Sequence, residues 1–186
     1  MLDYINSYLS RYYPIDEEIK DRLASLLKSK TFKKKEFLLT EGKMSNHIYF
    51  IEKGLLRIYY VVDGEEICSG LLCEGGLAVS VESFFTRTPS VEYMQAIEEL
   101  KVHYLSYDEL ESLYTDFLTF NIVGRKLITE HYVDSEHRNR LLRKQKAKEK
   151  YEYFQAKLGH LTGRVPRKDI ASYLGMTLET LSRLSY

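Results

Sequence analysis

Apolar residues recur at helical spacing in two short stretches, residues 2–13 and 16–29, which Pro14 separates. After three lysines at 33–35 the apolar period changes to two, the period of a half-buried strand. Short apolar runs then follow, divided by turns that contain glycine, at residues 36–40, 47–52, 55–62, 66–72, 92–97 and 101–105. Two helices and then an antiparallel sandwich or jelly roll of about seven or eight short strands are therefore predicted. Asp63-Gly64 is the strongest hairpin signal among the turns.

From residue 108 the helical period returns and continues to about residue 142, with a loose break near 115–118. We expect the apolar stripe of this long helix to pack on the roll, on a second copy of the chain, or on both with different faces. Four stripe residues are the predicted dimer interface: Phe120, Val123, Leu127 and Ile128. A further amphipathic helix is predicted over residues 143–158.

Residues 167–184, RKDIASYLGMTLETLSRL, have the spacing of two short helices that cross at a tight turn. Ala171 is small enough for the helices to approach closely, and Gly175 falls where the turn needs a positive φ. Thr177 can cap the second helix, which leaves Leu178, Glu179, Ser182 and Arg183 on the outer face. The stretch predicts a helix-turn-helix whose outer face meets a major groove, with an ordinary helical hairpin as the alternative.

The charge of the chain is divided unevenly between its two ends. The formal net charge is zero, but residues from 138 onward hold 12 basic and four acidic side chains, so that residues 1–137 carry −8 and the remainder +8. A basic end is typical of a nucleic-acid-binding domain, although a solvated helical face has the same composition. We expect a sensor domain over 1–115, a connecting helix over 116–142 and a DNA-binding domain over 143–186.

Several other classes of protein are disfavoured by the sequence. Cys68 and Cys73 are too few for an iron–sulfur cluster with four thiolates, and on one strand they would face opposite sides as reduced packing residues. The five histidines lack close metal-ligand spacing, and neither a nucleophile elbow nor a phosphate-binding loop is present. We therefore expect no metal site, no catalytic residues and no enzyme activity. The apolar stretches are too short for a membrane span, so we expect a cytoplasmic location.

The order of helices, roll, long helix, basic helix and helix-turn-helix resembles the Crp/Fnr family of bacterial transcription regulators. The resemblance rests on IYFIEKGLLRIYY with its Lys53-Gly54 turn, on EYMQAIEELKVHYLSYDELESLY, and most of all on IASYLGMTLETLSR. It implies an α+β fold with a β-roll of the cyclic-nucleotide-binding type, a long dimerisation helix and a C-terminal helix-turn-helix. Because the chain ends at Tyr186, the β-wing that follows in the family is expected to be absent or truncated.

The same resemblance implies a homodimer that binds double-stranded DNA, responds to an unidentified small-molecule effector and has RNA polymerase as a candidate further partner. The family reads bases with an E-T-x-x-R pattern, which falls on Glu179, Thr180 and Arg183. Leu178 stands where many relatives have another arginine, so the target sequence is expected to differ from theirs. The predicted DNA contacts are Arg167, Lys168, Thr177, Leu178, Glu179, Thr180, Ser182 and Arg183.

The family's nucleotide pocket is altered in this sequence. The glutamate that binds the ribose hydroxyl and the arginine that pairs with the phosphate in relatives fall on Ser80 and Ser90. A small shift of the alignment could place Glu82 at the glutamate position, and Arg87 could supply the guanidinium in a rearranged pocket. Because hydroxyls replace only part of a guanidinium contact to phosphate, we expect no cofactor and an effector other than cyclic AMP, although a cyclic nucleotide stays open. The candidate effector residues are Val79, Ser80, Glu82, Arg87 and Ser90.

Two functions follow as competing hypotheses. The first is a dimeric, sequence-specific transcription regulator. The second is a ligand-sensing or protein-interaction module with a vestigial helix-turn-helix, which the closeness of residue 186 to the second helix keeps open. A gel-shift experiment with random duplexes separates the two.

Overall fold

The computed structural model describes residues 2–144 and 146–184 of the chain. Two helices come first, α1 (Leu2–Ser10) and α2 (Glu17–Leu26). The strands are β1 (Lys28–Phe32), β2 (Phe37–Leu39), β3 (His47–Lys53), β4 (Leu56–Val62), β5 (Glu65–Leu72), β6 (Leu77–Ala78), β7 (Tyr93–Ala96) and β8 (Leu100–Ser106). The remaining helices are α3 (Val81–Thr86) between β6 and β7, then α4 (Tyr107–Asp116), α5 (Leu118–Lys144), α6 (Ala147–Leu158), α7 (Arg167–Tyr173) and α8 (Leu178–Leu184).

The strands form two four-stranded antiparallel sheets, with strand orders β1-β8-β3-β6 and β2-β7-β4-β5. Successive residues of β3 point to opposite faces of the sheet and so belong to two different cores. Ile51 packs between the two sheets, and Phe50 packs against the helices α1, α2, α4 and α5. A third core joins Leu55, just before β4, and the outer face of β5 to the C-terminal helices. The prediction of an antiparallel β-roll followed by a long helix is confirmed.

The Asp63-Gly64 hairpin is also confirmed. Val62 pairs with Glu65, and both turn residues have positive φ values of 52° and 83°. These angles give the turn the twist that a two-residue hairpin needs.

Two local predictions differ from the structure. The helix predicted over 16–29 ends at Leu26, because residues 28–32 form an edge strand paired with β8. Only Phe32 of this strand is buried, so β1 lacks the apolar alternation that identifies a strand from sequence. The loose break near 115–118 is a complete break at Phe117, whose extended backbone separates α4 from α5.

The C-terminal helix pair has the predicted local chemistry. Ala171 and Leu181 are buried where α7 and α8 meet. Gly175 has φ +58°, and the Thr177 hydroxyl accepts from the backbone N–H of Thr180 at 3.2 Å as an N-terminal cap.

The prediction that the two cysteines face opposite sides is wrong. Ile58 and Tyr59 on β4 pair with Gly70 and Cys68 on β5, so Ser69 is an extra residue that forms a β-bulge. The bulge breaks the alternation, and Cys68 and Cys73 both pack against the third core. Burial raises the pKa of the Cys68 thiol to about 12, so the thiol stays protonated at neutral pH.

Candidate functional site

The outer face of α8 carries the predicted base-contacting side chains. Leu178 is 44% exposed, Glu179 and Arg183 are exposed, and Thr180 is half-buried. The pKa of the Glu179 carboxyl is lowered by hydrogen bonds from its own backbone N–H and from Thr177, with Arg183 contributing least. Both charged side chains of the predicted recognition pattern are therefore accessible to a partner.

The first turn of α7 brings two predicted DNA contacts close to other groups. The Nη2 atom of Arg167 donates to the hydroxyl of Ser182 at 3.2 Å, which ties α7 to α8. The ammonium of Lys168 lies 3.4 Å from a carboxylate oxygen of Glu66 on β5. Arg167 and Lys168 are exposed, so both remain accessible at the end of α7.

The altered nucleotide pocket is closed by a polar network among residues of the roll. Ser80 and Ser90 are 1% and 4% exposed, and their hydroxyl oxygens are 3.1 Å apart. The hydroxyl of Ser80 also donates to the carboxylate of Glu92 at 3.0 Å, and the hydroxyl of Ser69 donates to the same carboxylate at 3.3 Å. A carboxylate therefore stands beside Ser80 and Ser90, two of the candidate effector residues.

Arg87 and Glu82, the two charged residues considered for a rearranged pocket, stay untested candidates, and the structure gives their present contacts. The Nη1 atom of Arg87 donates to the carbonyl oxygen of Ser45 at 3.0 Å, and its Nη2 atom donates to Asn46 Oδ1 at 2.6 Å. Its guanidinium also lies 4.3 Å from the ring centre of Tyr107. Glu82 is exposed in the first turn of α3. The contacts of Arg87 therefore hold its guanidinium at Ser45 and Asn46 and not at the Ser80–Ser90 pair.

A large cavity of about 630 Å³ lies between the roll and the long helix α5. Its walls are mainly apolar side chains of the roll and of α5, including Val79, Phe85, Phe120 and Leu127. Among the described residues that line it, none is Lys or Arg. The cavity therefore suits an uncharged or apolar group better than an anion.

Two of the four predicted dimer residues need correction. Phe120 and Val123 are 3% and 1% exposed in the core that the helices share with β3, so the chain itself covers them. Leu127 packs on the edge of the same core. Ile128 is 49% exposed and Tyr132, one turn later, is 66% exposed. Only the later part of the stripe is accessible to a second chain.

The sequence prediction missed the groups that join the roll to α7. Arg57 on β4 and Asp169 on α7 are buried and form an ion pair at 3.0 Å. Arg138 on α5 donates to the carbonyl oxygen of Tyr173 at 3.2 Å. An arginine inside an apolar strand was the available signal for Arg57, since a buried charge needs a partner.

Comparisons with known proteins agree with this architecture. Residues 29–117 match the cyclic nucleotide-binding domain family. The chain is 26% identical to the anaerobic regulatory protein of Haemophilus influenzae over 92% of its own length and 71% of that protein. It is also 26% identical to the transcriptional activator protein anr of Pseudomonas aeruginosa, over 90% of its own length and 73% of that protein.

Among solved structures, FixK2 from Bradyrhizobium japonicum superposes with a TM-score of 0.74 at 21% identity, covering 86% of this chain and 83% of that one. In the described part of the chain no helix is long and apolar enough to cross a bilayer. The relatives carry the names of regulators and not of enzymes. This similarity to bacterial regulators over nine-tenths of the chain agrees with the resemblance to the Crp/Fnr family, and residues 29–117 have the fold of a cyclic nucleotide-binding domain.

Proposed function

We propose that this regulator works as a homodimer that binds a two-fold DNA operator with α8 in the major groove. The observation that carries the proposal is the surface of α8, where Glu179 and Arg183 project from a helix whose opposite side, at Leu181, is buried. Side chains of these types make base contacts in the major groove. The basic C-terminal residues supply the attraction to phosphates.

The test is a selection of bound sequences from random duplexes, followed by titration of the selected site. A two-fold sequence motif, bound at moderate salt at least about a thousandfold more tightly than random DNA, supports the proposal. Binding of every duplex with the same affinity, or of none, favours the second hypothesis of a sensing or interaction module with a vestigial helix pair.

Dimerisation through α5 gives a direct prediction. Ile128→Glu is expected to convert the dimer into a monomer, because a charge would be buried in the apolar contact between two helices. Sedimentation velocity measures the outcome, and circular dichroism checks that the fold is kept. Val133→Glu is the matched control, since Val133 is 45% exposed and lies about 140° around the same helix. A folded Ile128→Glu variant that stays dimeric would show that the dimer interface does not include this part of α5.

We further propose that the effector is not a cyclic nucleotide. A phosphate placed beside Ser80 and Ser90 would meet the Glu92 carboxylate, and like charges at close range oppose binding. The cavity beside α5 lacks a lysine or arginine among its described lining residues that could compensate.

Cyclic AMP is therefore expected to leave the melting temperature unchanged. A ligand at 100 times its Kd stabilises the folded state by about 2.7 kcal/mol, which corresponds to roughly 5–10 °C for a chain of this size. Differential scanning fluorimetry with 1 mM cyclic AMP, compared with adenosine at matched ionic strength, measures the shift. A saturable rise of several degrees with cyclic AMP alone would overturn this part of the proposal.

A further inference from the structure

Arg57 connects the roll to the C-terminal helices. The residue is 8% exposed, and its Nη2 and Nε atoms donate to Gln95 Oε1 at 2.8 and 3.1 Å. The guanidinium lies 4.3 Å from the ring centre of Tyr59. Its Nη1 atom donates to Glu66 Oε2 at 2.7 Å and to Asp169 Oδ1 at 3.0 Å. Three of these partners belong to the roll, whereas Asp169 belongs to α7, so a guanidinium held by the roll reaches across to the DNA-binding helices.

Polar contacts around Arg57 hold α7 against two other elements. The backbone N–H of Cys68 on β5 donates to the Ser172 hydroxyl at 2.8 Å. That hydroxyl donates in turn to the carbonyl oxygen of Glu66 at 3.3 Å. Arg138 of α5 stacks on the ring of Tyr173 at 4.3 Å from its centre. Directional bonds to both β5 and α5 therefore define the orientation of α7.

Of the two ion pairs that the structure describes between α7 and the roll, one is buried and the other is exposed. Asp169 is 5% exposed, and a buried carboxylate that loses its partner is strongly destabilised. By contrast, the side chains of Lys168 and Glu66 are 67% and 39% exposed, and an exposed pair contributes little. The Arg57–Asp169 pair thus penalises any orientation of α7 that separates the two charges.

The orientation of α7 also determines the position of α8, because both helices share the buried residues Ala171 and Leu181. Two recognition helices reach successive major grooves only when they lie about 34 Å apart. We propose that Arg57 is a positioning residue for DNA binding, which acts through Asp169 to fix the half-site spacing that a pair of chains accepts. This inference rests on the proposed function.

The test compares the selected operator with duplexes that have one or two base pairs added or removed between the half-sites, and with a single half-site. Wild-type protein is expected to prefer the selected spacing by at least about tenfold. Arg57→Met is expected to reduce this preference to less than about threefold while the affinity for the single half-site stays within about twofold. Arg57→Lys, which keeps the charge but not the forked geometry, is expected to retain part of the preference.

Arg22→Met is the control, since Arg22 forms an exposed pair with Asp116 outside the α7 interface, and it should leave the spacing preference intact. Asp169→Asn keeps the size of the side chain and replaces Arg57→Met if that variant does not fold. The inference alone is overturned if either folded variant keeps the full preference, or if it loses affinity for every duplex and the half-site equally. Wild-type protein that binds no duplex overturns the proposed function and this inference together.

Discussion

Gly54→Ala is expected to destabilise the fold by more than about 3 kcal/mol, and to lower the melting temperature by roughly 6–12 °C. Gly54 lies in the turn between β3 and β4 with φ +102°. A Cβ atom there would overlap the carbonyl oxygen of Glu99 and come within 2.8 Å of Leu100 Cα. Both obstacles are backbone atoms, which cannot move aside without disturbing the start of β8. Urea unfolding followed by circular dichroism measures the loss.

Gly42→Ala separates the steric clash of the added Cβ atom from the cost of a positive φ. Gly42 has φ +77°, but nothing lies within 4 Å of the position that its Cβ would take. Only the left-handed backbone conformation then contributes, so the expected loss is about 1 kcal/mol. Equal losses for the two variants would show that the close approach at Gly54 is relieved by a small shift of the neighbouring backbone.

Arg183→Ala is expected to relax base preference at one position of each half-site by about 1–3 kcal/mol. Arg183 lies one helical turn after Glu179 on the exposed face of α8. A guanidinium can donate two bonds to O6 and N7 of guanine, and a carboxylate can accept from the N4 amine of cytosine. Titrations against duplexes that each carry one substituted base pair measure the change.

Lys168→Ala is the contrasting variant, because a phosphate contact carries no sequence information. It should weaken binding to all duplexes alike and reduce the salt slope by about one. If Arg183→Ala also lowers affinity equally for every duplex, Arg183 contacts a phosphate or only supports Glu179. As an ion pair between side chains four residues apart, Glu179 and Arg183 would stabilise the helix by only a few tenths of a kcal/mol and would not affect the choice of DNA sequence.

The roll could be predicted where short apolar runs and turn chemistry agreed. Residues 55–62 form an apolar run that ends at Asp63-Gly64, and this hairpin is present with its positive φ values. By contrast, β1 contains one buried residue, Phe32, and its stability comes from pairing with β8 about 70 residues later in the chain. A local pattern carries no information on such a pairing, so the preceding helix was extended too far.

In the candidate site, too, features that depend on neighbouring residues could be predicted and contacts between distant residues could not. Gly175 and Thr177 were predictable because the turn and the cap depend on residues a few positions away. The bond from Arg57 to Asp169 spans 112 positions of sequence and depends on the docking of separately formed units. Glu92 was missed for a different reason, since the alignment of the pocket identified which groups had been lost but not the carboxylate that had been gained.

The bulge at Ser69 contributes both to the interface with α7 and to the altered pocket. It turns Cys68 and Leu71 outward toward α7, and it lets the Ser69 hydroxyl bond to Glu92 in the altered pocket. Deleting this one codon would restore strict alternation along β5 and change both regions in a single mutational step. A change at this one position of β5 is therefore expected to affect the altered pocket and the docking of α7 together.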